Sequence, residues 1–161
     1  MIPVELVGVR VEVPANTPMA LLREQEGRHR LLPIYIGSPE ASAIHYALEG
    51  IDPPRPFTHD LFLTTIGELG ASIEKIVVTE IRDRTFYAEI HLGTNDGPKT
   101  ISSRPSDAIA LAVRCGAPLF ASDELLDEHG QEPAEEPEED AAEIIDEFKD
   151  FLANVDPEDF G

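Results

Sequence analysis

Residues 104–114, Arg-Pro-Ser-Asp-Ala-Ile-Ala-Leu-Ala-Val-Arg, predict a buried helix with a well-marked beginning, and we expect the rest of the chain to be organised around it. Pro105 or Ser106 suits its first turn, where proline loses no hydrogen bond and a serine oxygen can cap free N–H groups. Asp107 follows in the same turn, where the helix dipole favours a carboxylate. Residues 108–113 are all apolar, so we expect a central helix without a solvated face.

A second helix is predicted to begin within residues 37–40, Gly-Ser-Pro-Glu. Ser38 is the expected cap, Pro39 the first helical residue and Glu40 the acid that complements the dipole. Apolar residues then recur at helical spacing, at Ala41, Ile44, Ala47 and Leu48.

A third helix is predicted after the segment 55–60, Arg-Pro-Phe-Thr-His-Asp. Thr58 is the expected cap, and His59 and Asp60 would occupy the first turn. We expect the helix to present an apolar stripe made of Leu61, Phe62, Ile66 and Leu69.

Alternation of apolar and polar residues predicts the strands of a sheet. The expected strands are residues 2–13, 19–23, 30–36, 73–82, 85–92, 99–102 and 118–121, and a brief helix is expected at 123–129. Most of these strands are joined by short turns, which is typical of hairpins. The sequence therefore predicts a single α+β domain over residues 1–130, with a mixed, largely antiparallel sheet and about three packed helices.

The composition excludes several classes of protein. A chain of 161 residues that is 42% hydrophobic is long enough for one well-packed domain. Its single cysteine, Cys115, excludes an internal disulfide and a cysteine-based zinc cluster. No signal peptide and no apolar run of about 18 residues is apparent in the sequence. We therefore expect a cytoplasmic protein that has no membrane partner.

The net charge of −20 is concentrated at the carboxyl end. Residues 122–161 hold 17 acidic residues and one basic residue, whereas residues 1–121 hold 15 acidic and 11 basic residues. Residues 131–140 contain no bulky apolar side chain, which predicts a flexible acidic linker. Residues 141–161 are predicted to include an amphipathic acidic tail helix, for which a protein partner is one possible role.

The three predicted helix beginnings suggest one site, since each carries a first-turn acid: Glu40, Asp60 and Asp107. If they converge, their carboxylates can bind Mg²⁺ or Mn²⁺. His59 could serve as a general acid or base, and Arg55 and Arg104 could hold a phosphodiester. The alternative is purely structural, because a first-turn acid also stabilises any helix.

Three segments in this order resemble the bifunctional nuclease domain family. They are residues 32–41 (LPIYIGSPEA), 55–60 (RPFTHD) and 104–112 (RPSDAIALA), and the resemblance covers about residues 2–128. It implies an α+β domain with a mixed sheet, self-association, and activity on both DNA and RNA. The acidic residues after 129 lie outside it.

We therefore predict a nuclease that hydrolyses phosphodiester bonds of DNA, RNA or both, with a divalent metal. In this interpretation Glu40, Asp60 and Asp107 are metal ligands or acid–base groups, His59 carries a proton, and Arg55 and Arg104 bind substrate. The alternative is a non-catalytic regulatory or protein-binding module that uses the same pocket. The lack of a basic stripe with interleaved aromatic residues favours this alternative. The apolar run 31–36 also predicts a homodimer, if it lies at a sheet edge.

Overall fold

A computed structural model describes residues 1–133 as one seven-stranded mixed sheet with four helices. The strands are β1 Ile2–Glu12, β2 Thr17–Glu24, β3 Leu31–Tyr35, β4 Ser72–Arg82, β5 Thr85–Thr94, β6 Gly97–Ser103 and β7 Leu119–Ala121. The helices are α1 Ser38–Leu48, α2 Thr58–Glu68, α3 Pro105–Cys115 and α4 Asp123–His129. The predicted α+β class, the strands and the helices are confirmed.

The sheet has the strand order β3-β2-β1-β7-β4-β5-β6. Every neighbouring pair is antiparallel except β4 and β7, which are parallel. The three-residue strand β7 therefore joins two antiparallel halves of the sheet, because it pairs with β1 on one side and β4 on the other. This confirms the prediction of a mixed, largely antiparallel sheet.

Helices α1 and α3 pack against each other and form the layer that covers the sheet. α1 lies on β1 and β2, and α3 lies on β4 and β5. Residues 108–112 of α3 are no more than 3% exposed, which confirms the prediction of a central buried helix. The helix ends at Gly116, whose φ of 73° is the left-handed conformation that glycine adopts at low cost.

Helix α2 differs from its prediction in one respect. Its expected apolar stripe does not lie in the core, since Leu61, Phe62 and Leu69 are exposed. Of the predicted stripe, Ile66 packs against the core, as does Leu63, which was not predicted, and both are only partly buried. The physical reason is that α2 packs mainly against α3 and has less contact with the sheet, at β4.

The predicted caps are also shifted by one residue. Gly37 rather than Ser38 occupies the cap position of α1, and Phe57 rather than Thr58 occupies that of α2. In α2 the backbone N–H of Phe57 donates to the Asp60 carboxylate at 3.0 Å. The carboxylate of Asp60, rather than the hydroxyl of Thr58, therefore makes the side-chain hydrogen bond at the beginning of this helix.

A buried ion pair links the β2–β3 hairpin to α4. The Arg30 guanidinium donates to both carboxylate oxygens of Glu24, from Nε at 3.0 Å and from Nη2 at 3.2 Å, and Nη1 donates to Asp127 at 2.8 Å. The bonds from Arg30 hold the pKa of Glu24 below its ordinary value, although burial acts in the opposite direction. This contact fixes α4 to the edge of the sheet.

The predicted linker and tail helix lie almost entirely outside the described residues. Gln131, the first residue of the predicted linker, exchanges two backbone hydrogen bonds of 2.7 Å with Leu31. The residue that follows, Glu132, forms an ion pair with Arg28. The start of this segment thus packs on β3. Within residues 1–133, no helix is long and apolar enough to cross a bilayer.

Candidate functional site

The first turns of α1, α2 and α3 border one cavity of about 880 Å³. It contains four of the six site residues predicted from the sequence, and its lining also includes two aromatic side chains. The four predicted residues are Glu40, His59, Arg104 and Asp107. We call this space the main cavity.

A chain of ionic contacts runs along the wall of the main cavity. Nε2 of His59 lies 3.0 Å from Oδ1 of Asp107, and Nε of Arg104 donates to Oδ2 of Asp107 at 2.9 Å. The same guanidinium lies 3.1 Å from Oε1 of Glu40. Both oxygens of Asp107 are therefore occupied, one by an imidazole and one by a guanidinium.

These contacts decide the ionisation of Asp107. Burial is the largest single influence and raises its pKa, but the hydrogen bonds from Arg104 and His59 and the positive charge of Arg104 outweigh it. The net result is a pKa below the ordinary value of an aspartate. The hydrogen bond to Asp107 raises the pKa of Arg104 in turn, so at neutral pH this site holds a carboxylate and a guanidinium.

Asp60 does not join this chain, although it is also a first-turn acid. Its Oδ1 accepts a hydrogen bond of 2.9 Å from Nε of Arg114. Nη1 and Nη2 of Arg114 donate to the carbonyl oxygens of Ala110 and Ala43. The structure therefore does not bring Asp60 into the main cavity with Glu40 and Asp107, because Arg114 holds its carboxylate where the three helices pack together.

Arg55 also lies away from the main cavity. It is exposed in the loop before α2 and is not among the residues that line this space. The neighbouring residues Pro56 and Phe57 do reach the cavity wall. The structure thus separates the two Arg-Pro pairs of the sequence, and of these two arginines only Arg104 enters the site.

The three predicted metal ligands do not fit a shared metal ion. Within residues 1–133, no group of three or more His, Cys, Asp or Glu side chains is arranged to hold one. Asp60 is bound to Arg114, and Glu40 and Asp107 share the guanidinium of Arg104 as their counter-ion. A cation between these two carboxylates would have to compete with that guanidinium.

Three features of the site were missed in the sequence. Arg114 was not among the predicted site residues, yet it joins all three helices. The rings of Tyr46 and Phe57, with centroids 5.7 Å apart, form part of the cavity wall. Ser42 also lines it, and its buried Oγ has no hydrogen-bond partner among the described residues. Of these features, only Arg114 could have been noticed in the sequence, because it is a charged residue at the end of an apolar helix.

Comparison with known proteins identifies the family. The model of the bifunctional nuclease domain matches residues 20–134, which is most of the chain. The chain belongs to the bifunctional nuclease domain family. The matched region includes α1, α2 and α3, and with them every residue of the ionic chain in the main cavity.

Two groups of relatives match this family member. A Mycobacterium tuberculosis protein described as uncharacterized is 40% identical over 162 residues, covering 98% of this chain and 96% of its own length. The rice protein named bifunctional nuclease 2 is 27% identical over 115 residues, covering 70% of this chain but 35% of its own length. Bifunctional nuclease 1 of Arabidopsis thaliana is 26% identical over 108 residues, covering 65% of this chain and 33% of its own length. The plant matches are thus confined to about a third of each plant protein.

Proposed function

We propose that the chain is a nuclease that hydrolyses phosphodiester bonds of DNA, RNA or both in the main cavity. The observation that carries the proposal is the contact of His59 with Asp107 beside the guanidinium of Arg104. Phosphodiester hydrolysis needs a group that transfers a proton and a cation that stabilises the charged phosphate. Membership of the family and the names of the plant relatives support this activity.

His59 is the proton carrier in this proposal. With Asp107 ionised, the imidazole donates its Nε2–H to Oδ1, which leaves Nδ1 as the nitrogen that can accept a proton. No residue between 1 and 133 forms a hydrogen bond with this Nδ1. Asp107 would orient the ring and stabilise the imidazolium that forms when Nδ1 takes a proton from the attacking water. The water oxygen forms the new bond to phosphorus, the bond to the leaving oxygen breaks, and the imidazolium can return its proton to that oxygen or to solvent.

Arg104 binds the phosphate. Its side chain is 63% exposed, so part of the guanidinium faces solvent even though it contacts Asp107 and Glu40. An arginine with free N–H groups is well suited to the oxygens of a phosphodiester. Glu40 contacts the guanidinium, which supports the role of a positioning residue. Its role as a metal ligand stays a prediction.

Cleavage by highly purified protein tests this proposal. Labelled single-stranded DNA and RNA are incubated with the wild type and with a His59→Gln variant purified identically. We expect the variant to be at least about 100-fold slower, because it lacks the proton carrier. Equal rates for both proteins would mean that the cleavage comes from a contaminant or from another site, and would overturn the proposal.

Dependence on Mg²⁺ or Mn²⁺ stays a prediction, and a chelator tests it in the same assay. Loss of cleavage with chelator and its return with either metal would support the prediction. Undiminished cleavage in chelator would contradict it, and would leave the roles proposed for His59, Asp107 and Arg104 in place.

The exposed side of α2 favours a second function, the binding of a protein. Leu61 is 56% exposed, the adjacent Phe62 is 37% exposed, and Leu69, directly after the helix, is 77% exposed. Apolar side chains grouped in this way are typical of interaction surfaces. This surface is a better candidate for the proposed homodimer than β3, because Leu32 and Ile34 of that edge strand are buried in the chain's own core. Light scattering that gives the mass of one chain, 17.7 kDa, would contradict a homodimer.

A further inference from the structure

A second cavity lies directly beside the main cavity and shares Arg104 with it. Its volume is about 340 Å³. Its wall is made by the end of β3, the start of β5, and the beginnings of α1 and α3. We call it the Arg84 cavity, after the arginine of the β4–β5 turn that borders it. A ligand that extends beyond the main cavity on the side of Arg104 would enter this space.

The Arg84 cavity has only positive charges in its wall, as far as residues 1–133 are concerned. Arg84 and Arg104 both line it, and no Asp or Glu is among its lining residues. Within the same part of the chain, Arg84 forms no ion pair and no side-chain hydrogen bond, since none of the structure's contacts involves it. Arg104, by contrast, already has two carboxylate partners. Of the two arginines in this wall, Arg84 is therefore the one that has no carboxylate partner among residues 1–133.

The backbone near this cavity adds to its preference for an anion. α1 and α3 both begin here, at Gly37 and Arg104, and each is an eleven-residue helix without a side-chain cap. The positive ends of two helix dipoles therefore lie near the two guanidiniums, although each first turn also carries an acid, Glu40 or Asp107, that contacts Arg104. The hydroxyl of Tyr35 is not available to the ligand, because it donates to Glu12 at 2.7 Å.

We propose that the Arg84 cavity binds a phosphate group of the nucleic-acid backbone, adjacent to the phosphodiester held at Arg104. This inference rests on the proposed function, and it names Arg84 as a substrate-binding residue that was not predicted. Arg104 lies between the two cavities and contacts the phosphate to be cleaved, whereas Arg84 contacts a neighbouring phosphate. The positive lining without a carboxylate selects a phosphate over a neutral group.

The test compares Arg84→Gln with Arg82→Gln as a matched control. Both substitutions remove one positive charge from the same hairpin, but Arg82 pairs with Glu80 and does not line the cavity. A fluorescein-labelled single-stranded DNA of about 12 nucleotides is titrated with each full-length protein, and anisotropy gives the dissociation constant at several salt concentrations. Binding is measured with oligonucleotide shown to be intact at the end of the titration.

We expect Arg84→Gln to weaken binding about five- to tenfold at about 50 mM salt, and to reduce the slope of log Kd against log salt by about 0.7 to 1. Arg82→Gln should change binding less than twofold, and Arg84→Lys should retain most of the affinity because it keeps the charge. Equal binding by the Arg84→Gln and Arg82→Gln proteins would overturn the inference. Thermal melting of each variant excludes unfolding as the cause, and Arg84 is exposed.

Cleavage measured with the same proteins separates this inference from the proposed function. Wild-type cleavage together with equal binding by the two variants would overturn the role of Arg84 and leave the nuclease in place. Loss of binding in Arg84→Gln, when the wild type binds but does not cleave, would support the phosphate site and contradict the nuclease. No binding by the wild type would overturn both.

Discussion

Nε2 of His59 lies 3.0 Å from Oδ1 of Asp107, although 48 residues separate them in the chain. The contact joins the first turn of α2 to the first turn of α3. Because Asp107 also binds Arg104, one carboxylate positions both the proposed proton carrier and the proposed phosphate ligand. The proposed chemistry of the main cavity therefore depends on this one side chain.

Asp107→Asn should reduce cleavage about 100-fold while the melting temperature changes little. The amide keeps the volume of the carboxylate, but it loses the charge that stabilises an imidazolium at His59. A cleavage rate and a thermal melt, measured on the same preparation, check this prediction. Unchanged cleavage with a lower melting temperature would show that Asp107 serves only the stability of α3.

Asp60→Asn should have the opposite effect, because Asp60 binds the buried Arg114 outside the main cavity. We expect a loss of about 1–3 kcal/mol in the free energy of unfolding, since a buried guanidinium loses its charged partner. Cleavage should stay within a few-fold of the wild type. Glu68→Gln on the same helix is the control, as it removes an exposed carboxylate. If cleavage by Asp60→Asn falls as far as cleavage by Asp107→Asn, Asp60 takes part in the reaction and the prediction is contradicted.

Gly37→Ala should disturb the site without unfolding the domain. A Cβ at this position would overlap the carboxylate of Glu40, which is a flexible group that can move away. Its ion pair with Arg104 would then be lost, and we expect cleavage to fall several-fold at an almost unchanged melting temperature. Gly67→Ala in α2 is the control, because nothing lies within 4 Å of its added methyl group. That variant should gain about 0.5–1 kcal/mol and keep full activity.

The buried pair of Glu24 and Arg30 predicts how stability depends on pH. The pKa of Glu24 is lowered by folding, so the unfolded chain binds more protons than the folded one at pH values between the folded pKa and the ordinary 4.5. The stabilisation is therefore complete above pH 4.5 and is lost as the pH falls through the folded pKa. Glu24→Gln should lower the stability at pH 7 by at most about 3–5 kcal/mol, because the buried guanidinium of Arg30 loses its buried partner and keeps only the exposed Asp127.

Urea unfolding between about pH 3 and 7 measures this effect. Glu24→Gln should also flatten the acid limb of the stability curve. Glu5→Gln is the control, because it breaks an exposed pair with Arg23 that is worth at most about 1 kcal/mol. Parallel acid limbs for the wild type and Glu24→Gln would show that Glu24 does not contribute to the pH dependence.

Removal of residues 134–161 should strengthen the binding of nucleic acid. The segment holds 12 acidic residues and Lys149, so the net charge changes from −20 to −9. A truncation after residue 133 keeps the pairing of Gln131 with Leu31. The affinity for a labelled oligonucleotide should rise at low salt, and the gain should shrink as salt screens the repulsion. Equal affinity of both chains at low salt would contradict a repulsive role for these residues.

Much of the fold could be predicted because its signals are local. The apolar run of α3, bounded by proline at one end and glycine at the other, indicated a buried helix, and alternating residues indicated β4 and β5. The order of the strands could not be predicted in the same way. β7 has only three residues, yet it occupies the centre of the sheet, and this position depends on pairing with strands far away in the chain.

The sequence indicated which types of residue form the site, but not which residues they contact. Glu40, Asp60 and Asp107 are indistinguishable in sequence, because each is a first-turn acid that a helix dipole favours. Tertiary packing separated them. Asp107 meets His59, while Asp60 meets Arg114, which is 54 residues away. In the same way, spacing identified the apolar side of α2, and only the tertiary structure left Leu61 and Leu69 exposed. Local spacing fixes which face of a helix a side chain occupies, whereas contacts distant in sequence decide what that face meets.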